Sequence, residues 1–248
     1  MLQFERQQNI LTYLEARHSA TIQELAQAVY ASEASIRRDI AQLESKGYVE
    51  RFYGGVLLAK YKNSVVPVNL RETAHSAVKD RIAAEAAARI RDGDTVILDA
   101  STTVFRICRH IRDRKHLKIV TNNLRICTEL ADCPQIQVFC TGGAYVSHSS
   151  CFLGPQAENF IRGINADLLF FSSQGISETG LITDVSEQEI AMRRVMLHQA
   201  KKRIFLCDSS KFGVCRPFTL CRKEDVDEIL CDTALTFACP PPNFHTPL

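Results

Sequence analysis

The sequence predicts an α/β chain made of two folds in series: a winged helix-turn-helix at the amino end and, behind it, an α/β domain with a parallel sheet. Three observations predict this. The first fifty residues hold three short segments with helical apolar spacing, followed by a strand-like stretch. From Lys79 onward, short apolar runs with the character of buried strands alternate with helical stretches. At 248 residues the chain also exceeds one ordinary domain of about 150 residues.

In the first helix Ile10, Leu11 and Leu14 form the apolar stripe, and Ala16 to Ser19 break it. Thr21 caps the second, whose inner face carries Ile22, Leu25, Ala26 and Val29. Tyr30 and Ala31 make a short turn, Ser32 caps the third helix, and Gly47 supplies a left-handed stop after Lys46. Tyr48 to Tyr53 reads as extended, with a tight turn at Gly54-Gly55. Three helices with a tight turn before the last, then a wing, make the winged helix-turn-helix arrangement.

This unit is expected over residues 1–56, with a linker of little periodicity over 57–74, an α/β unit over 75–235 and a frayed tail over 236–248. Within the α/β unit an alanine-rich helix (Ile82, Ala83, Ala86, Ala87, Ile90) ends at Asp92-Gly93. Strands are expected at Val96 to Leu98, Leu117 to Val120, Ile136 to Cys140, Leu168 to Phe171, Ile204 to Cys207 and Ile229-Leu230. Helical stretches fall at Val104 to Ile111, Asn123 to Leu130 and Ser186 to Gln199.

Composition narrows the function classes. With 46% hydrophobic and 23% charged residues the chain is neither collagenous nor mainly disordered. No apolar stretch approaches the roughly 20 residues of a membrane span, and the amino terminus lacks a secretory pattern. Ten cysteines without a C-x-x-C spacing fit a reduced cytosol, so a cytoplasmic protein without metal or cofactor is expected. Net charge is +2, and residues 1–56 hold six Lys/Arg against seven Asp/Glu, so bulk charge recruits no nucleic acid.

The third helix nevertheless carries a specific surface. Ile36, Ile40 and Leu43 share one face, so Ala34, Arg38, Ala41 and Ser45 face the opposite way, flanked by Ser35, Gln42 and Arg37. Small residues beside two arginines let a helix approach a duplex closely, and a guanidinium fork fits guanine O6 and N7 or a phosphate. Thr21, Ser32, Ser35, Arg37, Arg38, Arg51 and Tyr53 are therefore the candidate DNA contacts, Arg51 and Tyr53 from the wing. Asp39 lies near the apolar face and reads as an ion-pair partner.

In the second unit polar loops recur after strands: Asp99-Ala100-Ser101-Thr102-Thr103, Thr121-Asn122-Asn123, Thr141-Gly142-Gly143, Ser172-Ser173-Gln174-Gly175 and Asp208-Ser209-Ser210-Lys211. Strand ends that meet helix starts in α/β sheets bind phosphates and sugars. Asp184, Glu187 and Glu189 invite an acid/base assignment, but Glu189 fits an i,i+4 pair with Arg193 and reads as structural.

The segments Ala34-Ser35-Ile36-Arg37-Arg38-Asp39-Ile40, Leu43-Glu44-Ser45-Lys46-Gly47 and Arg51-Phe52-Tyr53-Gly54-Gly55 resemble the signature of the DeoR family of bacterial sugar-metabolism regulators. That family usually has threonine at the place of Ser35 and histidine at that of Tyr53. The resemblance covers nearly the whole chain. It implies a Rossmann-like α/β sensor domain similar to ribose-5-phosphate isomerase, in which Asp99 accepts sugar hydroxyls. Ser101, Thr102, Thr103, Thr121 and Asn122 would line the pocket, Gly142, Gly143 and Gly175 would form its loops, and Lys211 would neutralise a phosphate. The chain departs from the family at Gln174, where aspartate is frequent, and at Ser101, where glycine is usual. A carboxylate in place of Gln174 could act as a base, whereas the amide can only hydrogen-bond.

The implied function is a non-enzymatic, sugar-responsive repressor. It would bind double-stranded operator DNA as a homodimer or tetramer and be released by a sugar or sugar-phosphate effector. The alternatives are an isomerase-like enzyme with a regulatory module and a nucleoid or scaffold protein. The first lacks a recognisable acid/base pair, and the second leaves the strand-end loops unexplained.

Overall fold

The computed structural model describes residues 2–52, 55–59 and 68–237 and the backbone of 244–245. The chain divides into two compact units, residues 1–75 and 76–248.

The first unit contains α1 (Gln3–Arg17), β1 (Ser19–Thr21), α2 (Ile22–Ala28), α3 (Glu33–Ser45), β2 (Val49–Phe52) and β3 (Gly55–Leu58). Its helices start where the sequence places hydroxyl caps. Thr21 Oγ1 accepts from the Glu24 amide at 3.0 Å while Glu24 returns a carboxylate oxygen to the Thr21 amide at 2.7 Å, a reciprocal capping box. Ser32 Oγ accepts from the Ser35 amide at 3.3 Å. Gly47 adopts φ +74°, the left-handed stop after α3.

Ile10, Leu14, Leu25, Val29, Ile36, Ile40 and Leu43 form the core, closed from below by Val49 and Val56 of an antiparallel sheet ordered β1-β3-β2. A fully buried Leu or Ile contributes about 1.5–3 kcal/mol. Strand β1 went unforeseen: Ser19 to Thr21 pair with Leu57 to Gly55. Gly55, expected in the turn, opens β3, and Gly54 lies outside the described residues. Part of the expected linker is helical, as α4 (Val68–Thr73).

The second unit contains, in order, α5 (Ser76–Ala87), β4 (Thr95–Leu98), α6 (Thr102–Phe105), α7 (Cys108–Ile111), β5 (Leu117–Thr121), α8 (Leu124–Glu129), β6 (Ile136–Cys140), β7 (Ala144–Val146), β8 (Cys151–Leu153) and α9 (Pro155–Arg162). It continues with β9 (Ala166–Phe171), β10 (Gly175–Ile176), β11 (Leu181–Asp184), α10 (Glu187–His198), β12 (Ala200–Cys207), β13 (Phe218–Arg222), β14 (Glu228–Cys231) and β15 (Phe244–His245). Seven strands make one parallel sheet in the order β15-β14-β12-β9-β4-β5-β6.

Alternation along the strands feeds two cores. Val96, Leu98, Phe170 and Leu206 pack with Ile82, Ala86, Ile107 and Ile126 on one face. Ile97, Leu169, Phe171 and Phe205 pack with Ile161, Ile190 and Met196 on the other. Both faces being covered explains the continuous apolar runs.

Three expectations need correction. The helix foreseen over Val104 to Ile111 is two short helices, because the backbone bonds tighten to i→i+3 spacing around Arg106 and Ile107. The antiparallel pieces β7-β8 and β10-β11-β13, and helix α9, were not foreseen. Within the tail expected to fray, Phe244 and His245 pair in parallel with Ile229 and Leu230.

Candidate functional site

On α3 the apolar face is inward, and Ala34, Arg37, Arg38, Ala41 and Ser45 are exposed. Arg38 has no ion pair among the described residues, whereas Arg37 meets Glu33 one turn earlier at 3.1 Å. Arg51 of the wing holds Glu44 of α3 with its Nε at 2.6 Å and its amide at 3.1 Å, which ties wing to helix. Ser32 and Ser35 meet through their hydroxyls at 3.0 Å at the helix start. Thr21 is engaged as the cap of α2, and Tyr53 lies outside the described residues. Asp39 is fully buried and ion-paired with Arg6, with Gln3 and Gln7 also donating to it.

In the second unit the strand order supplies the site. The chain runs outward from β4 through β5 to β6, then restarts at β9 and runs the other way through β12 to β14. The reversal lies between β4 and β9, where the crossovers diverge and open sheets bind ligands. Asp99 follows β4 and Ser172 follows β9, and the Ser172 amide donates to Asp99 Oδ2 at 3.2 Å. The Ser172 hydroxyl accepts from Lys211 Nζ at 2.8 Å and donates to the Leu206 carbonyl at 2.7 Å. Lys211 also lies 3.7 Å from Asp208. Ends of β4, β9 and β12 are thus joined through one serine.

At the centre is Arg193 of α10, 5% exposed. Its Nε donates to Asp99 at 2.9 Å, one terminal nitrogen to Asp184 at 2.9 Å, and the other to Glu189 at 2.8 Å, the i,i+4 pair the sequence suggested. Burial alone would lower the pKa of Arg193, but Asp184, Glu189 and Asp99 outweigh it and raise the value above that of a free guanidinium. The carboxylates are further held by the Ser101 amide on Asp99 at 2.9 Å, the Val185 amide on Asp184 at 2.7 Å, and the Ser149 hydroxyl on Glu189 at 2.6 Å.

Of the other candidates, Ser101 caps α6 by accepting from the Val104 amide at 3.2 Å, Thr102 and Thr103 are buried behind it, and Thr121 Oγ1 accepts from the Asn123 amide at 3.0 Å. Asn122 donates to the Phe152 carbonyl at 3.1 Å and shares a small cavity with Asp99, Glu189 and Arg193. Gly142 (φ +63°) and Gly143 (φ +110°) turn the chain after β6, and a Cβ on Gly143 would stand 2.7 Å from the Leu153 carbonyl oxygen. Gly175 lies in β10, where a Cβ would collide with the Val214 carbonyl oxygen, and Gln174 beside it is partly exposed.

Sequence reasoning missed Arg193 as the hub and Ser149, which holds Glu189, and named Ser172 only as part of its loop. One signal was available: Arg193 lies at helical spacing with Ile190, Met196 and Leu197, so a charge had to enter an apolar face.

Two family models match in tandem, a DeoR-like helix-turn-helix domain over residues 6–62 and a DeoR C-terminal sensor domain over residues 74–233. The HTH-type transcriptional regulator GolR of Listeria innocua is 31% identical over 96% of this chain and 94% of its own. The L-fucose operon activator of Escherichia coli K12 is 30% identical over 92% of this chain and 94% of its own. Among solved structures, ribose 5-phosphate isomerase A of Methanocaldococcus jannaschii aligns with a TM-score of 0.43 and 14% identity over 56% of this chain and 55% of that one. The relatives at full length are named as regulators, which sets the isomerase alternative aside. A winged helix-turn-helix joined to a sensor sheet, with both family models matched and full-length relatives above 30% identity, places the chain in the DeoR family of transcriptional regulators.

Proposed function

We propose that this regulator represses a carbohydrate operon by binding double-stranded operator DNA through α3 and the wing, and that a phosphorylated sugar at the strand-end site of the sensor unit releases it. The observation that carries the reading is the meeting of Asp99, Ser172 and Lys211 at the reversal of strand order. This places hydroxyl acceptors and a cation where open α/β sheets take ligands.

The effector acts by binding one conformation of the protein better than the other. Two-fold operators call for at least a homodimer, with a tetramer as the larger assembly, in the cytoplasm. Similar relatives include the putative aga operon transcriptional repressor of Escherichia coli O157:H7, at 30% identity over 93% of this chain and 87% of its own, as well as the fucose activator. One of these relatives is named a repressor and the other an activator, so release of the regulator from DNA by the effector is the feature to test.

Arg38→Ala should abolish footprint protection of the cognate operator. Lys211→Ala should keep the footprint but lose its relief by sugar phosphates. Unchanged protection by the first variant, or normal relief in the second, overturns the corresponding half of the reading.

A further inference from the structure

We infer that the cavity beside Arg193 is a subsite for a single hydrogen-bond-donating substituent of the effector, a hydroxyl or a protonated amine, and that Glu189 makes it reject a carboxylate. The inference deepens the proposed reading of the strand-end site and rests on it.

The cavity is lined by Asp99, Ala100, Asn122, Glu189, Met192, Arg193 and Met196 and measures about 10 Å³, room for one water-sized group. It therefore takes one substituent of a sugar, with the rest of the ligand outside it. Its walls are rich in acceptors. Asp99 and Glu189 in the wall and Asp184 outside it share one guanidinium, a formal excess of two negative charges over the cluster, and each of the three guanidinium nitrogens already donates to a different carboxylate.

Asn122 provides the independent observation. It is 3% exposed, its Nδ2 is spent on the Phe152 carbonyl, and its Oδ1 is buried without a hydrogen-bond partner among the described residues. A buried acceptor left unmatched costs free energy that a donor from the ligand would recover. A hydroxyl can donate to Asn122 Oδ1 or to Glu189, and an ammonium can do so with its charge attracted. A carboxylate offers only acceptors and meets like charge at short range. Met192 and Met196 form the apolar side of the cavity, and their flexible stems let it adjust to the substituent.

The full-length protein is titrated calorimetrically with glucose 6-phosphate, fructose 6-phosphate, ribose 5-phosphate and glucosamine 6-phosphate, and with the carboxylate counterparts 6-phosphogluconate and 5-phosphoribonate. The tightest probe should be one without a sugar carboxylate, and the tighter of glucose 6-phosphate and ribose 5-phosphate should bind at least about tenfold more strongly than its carboxylate counterpart. Glu189→Gln should shrink that ratio by about tenfold, and the isosteric Asn122→Asp should widen it, each with an unchanged circular dichroism spectrum. A carboxylate probe that binds as tightly as its counterpart, or a ratio unchanged in both variants, overturns the inference.

Lys211→Ala separates the two levels. If it weakens every probe while the ratio ignores Glu189 and Asn122, the site stands and the subsite falls. If it leaves the tightest probe unaffected, or if no probe binds the wild type, the reading of the strand-end site falls and takes the subsite with it.

Discussion

The two units place their charged residues in opposite ways. In the helix-turn-helix unit the interior is apolar apart from Asp39 and its partners, and Arg37 and Arg38, both assigned to DNA, stand on the outside of α3, where no fold contact depends on Arg38. In the sensor unit the assigned residues are themselves interior: Asp99, Thr103, Asn122 and Thr121 are buried, and Arg193 is fixed by three carboxylates. A DNA contact can therefore be removed from the first unit at Arg38 without disturbing its fold, whereas in the second the side chains that hold the structure are also those proposed to receive the ligand.

The sharpest way to break this contrast is Arg193→Met. It keeps the side-chain volume but strands three buried carboxylates, so it should cost the sensor unit about 3–5 kcal/mol. The chain has no tryptophan, so the midpoint of urea unfolding is best followed by circular dichroism. A loss under about 1 kcal/mol would mean that the cluster is not structural.

A smaller effect is expected at Glu228, a buried carboxylate between Arg89 (2.7 Å) and Lys202 (2.6 Å). Burial pushes its pKa up, but hydrogen bonds from Lys202 and Arg89 outweigh this and hold it below the usual glutamate value. A pKa depressed in the folded state means that the stabilisation is complete above about pH 4.3 and is lost as the pH falls through the folded value. Glu228→Gln should cost about 1–2 kcal/mol at neutral pH and flatten the acid limb of the stability curve below about pH 4.3. Parallel acid limbs in wild type and variant would refute it.

The smallest effect on stability belongs to Arg38→Ala, which should shift unfolding by less than about 0.5 kcal/mol even as operator protection disappears. A large destabilisation there would erase the distinction between the units.

Legibility in the sequence follows the same division. Helical periodicity reveals which side of α3 is exposed because a surface helix reports its environment every 3.6 residues, and the caps at Thr21 and Ser32 are local chemistry. The strand positions around Asp99, Thr121 and Ser172 were readable for the same reason, as short apolar runs ending in polar loops. The hub was not. Asp99 follows β4, Asp184 ends β11 and Glu189 and Arg193 lie on α10, and Asp99 is 94 residues from Arg193, so only the sheet topology brings them together. The two-residue strand β10 and the hairpin β7-β8 carry too few residues for alternation to register.

The pairing of charges on the helix-turn-helix unit also determines how its grip on DNA responds to ions in solution. Of its six cations between residues 2 and 52, Arg6, Arg37 and Arg51 already face Asp39, Glu33 and Glu44, and Arg17 lies 5.2 Å over the ring of Tyr13. Among the described residues this leaves Arg38 and Lys46 as the cations without an internal partner. The logarithm of affinity falls by about 0.9 per phosphate neutralised for each tenfold rise in salt, because that is the number of condensed counterions set free. Within residues 2–52 only these two cations can take a phosphate without first giving up a partner, so a contact from Arg37 or Arg51 exchanges an internal ion pair for an external one.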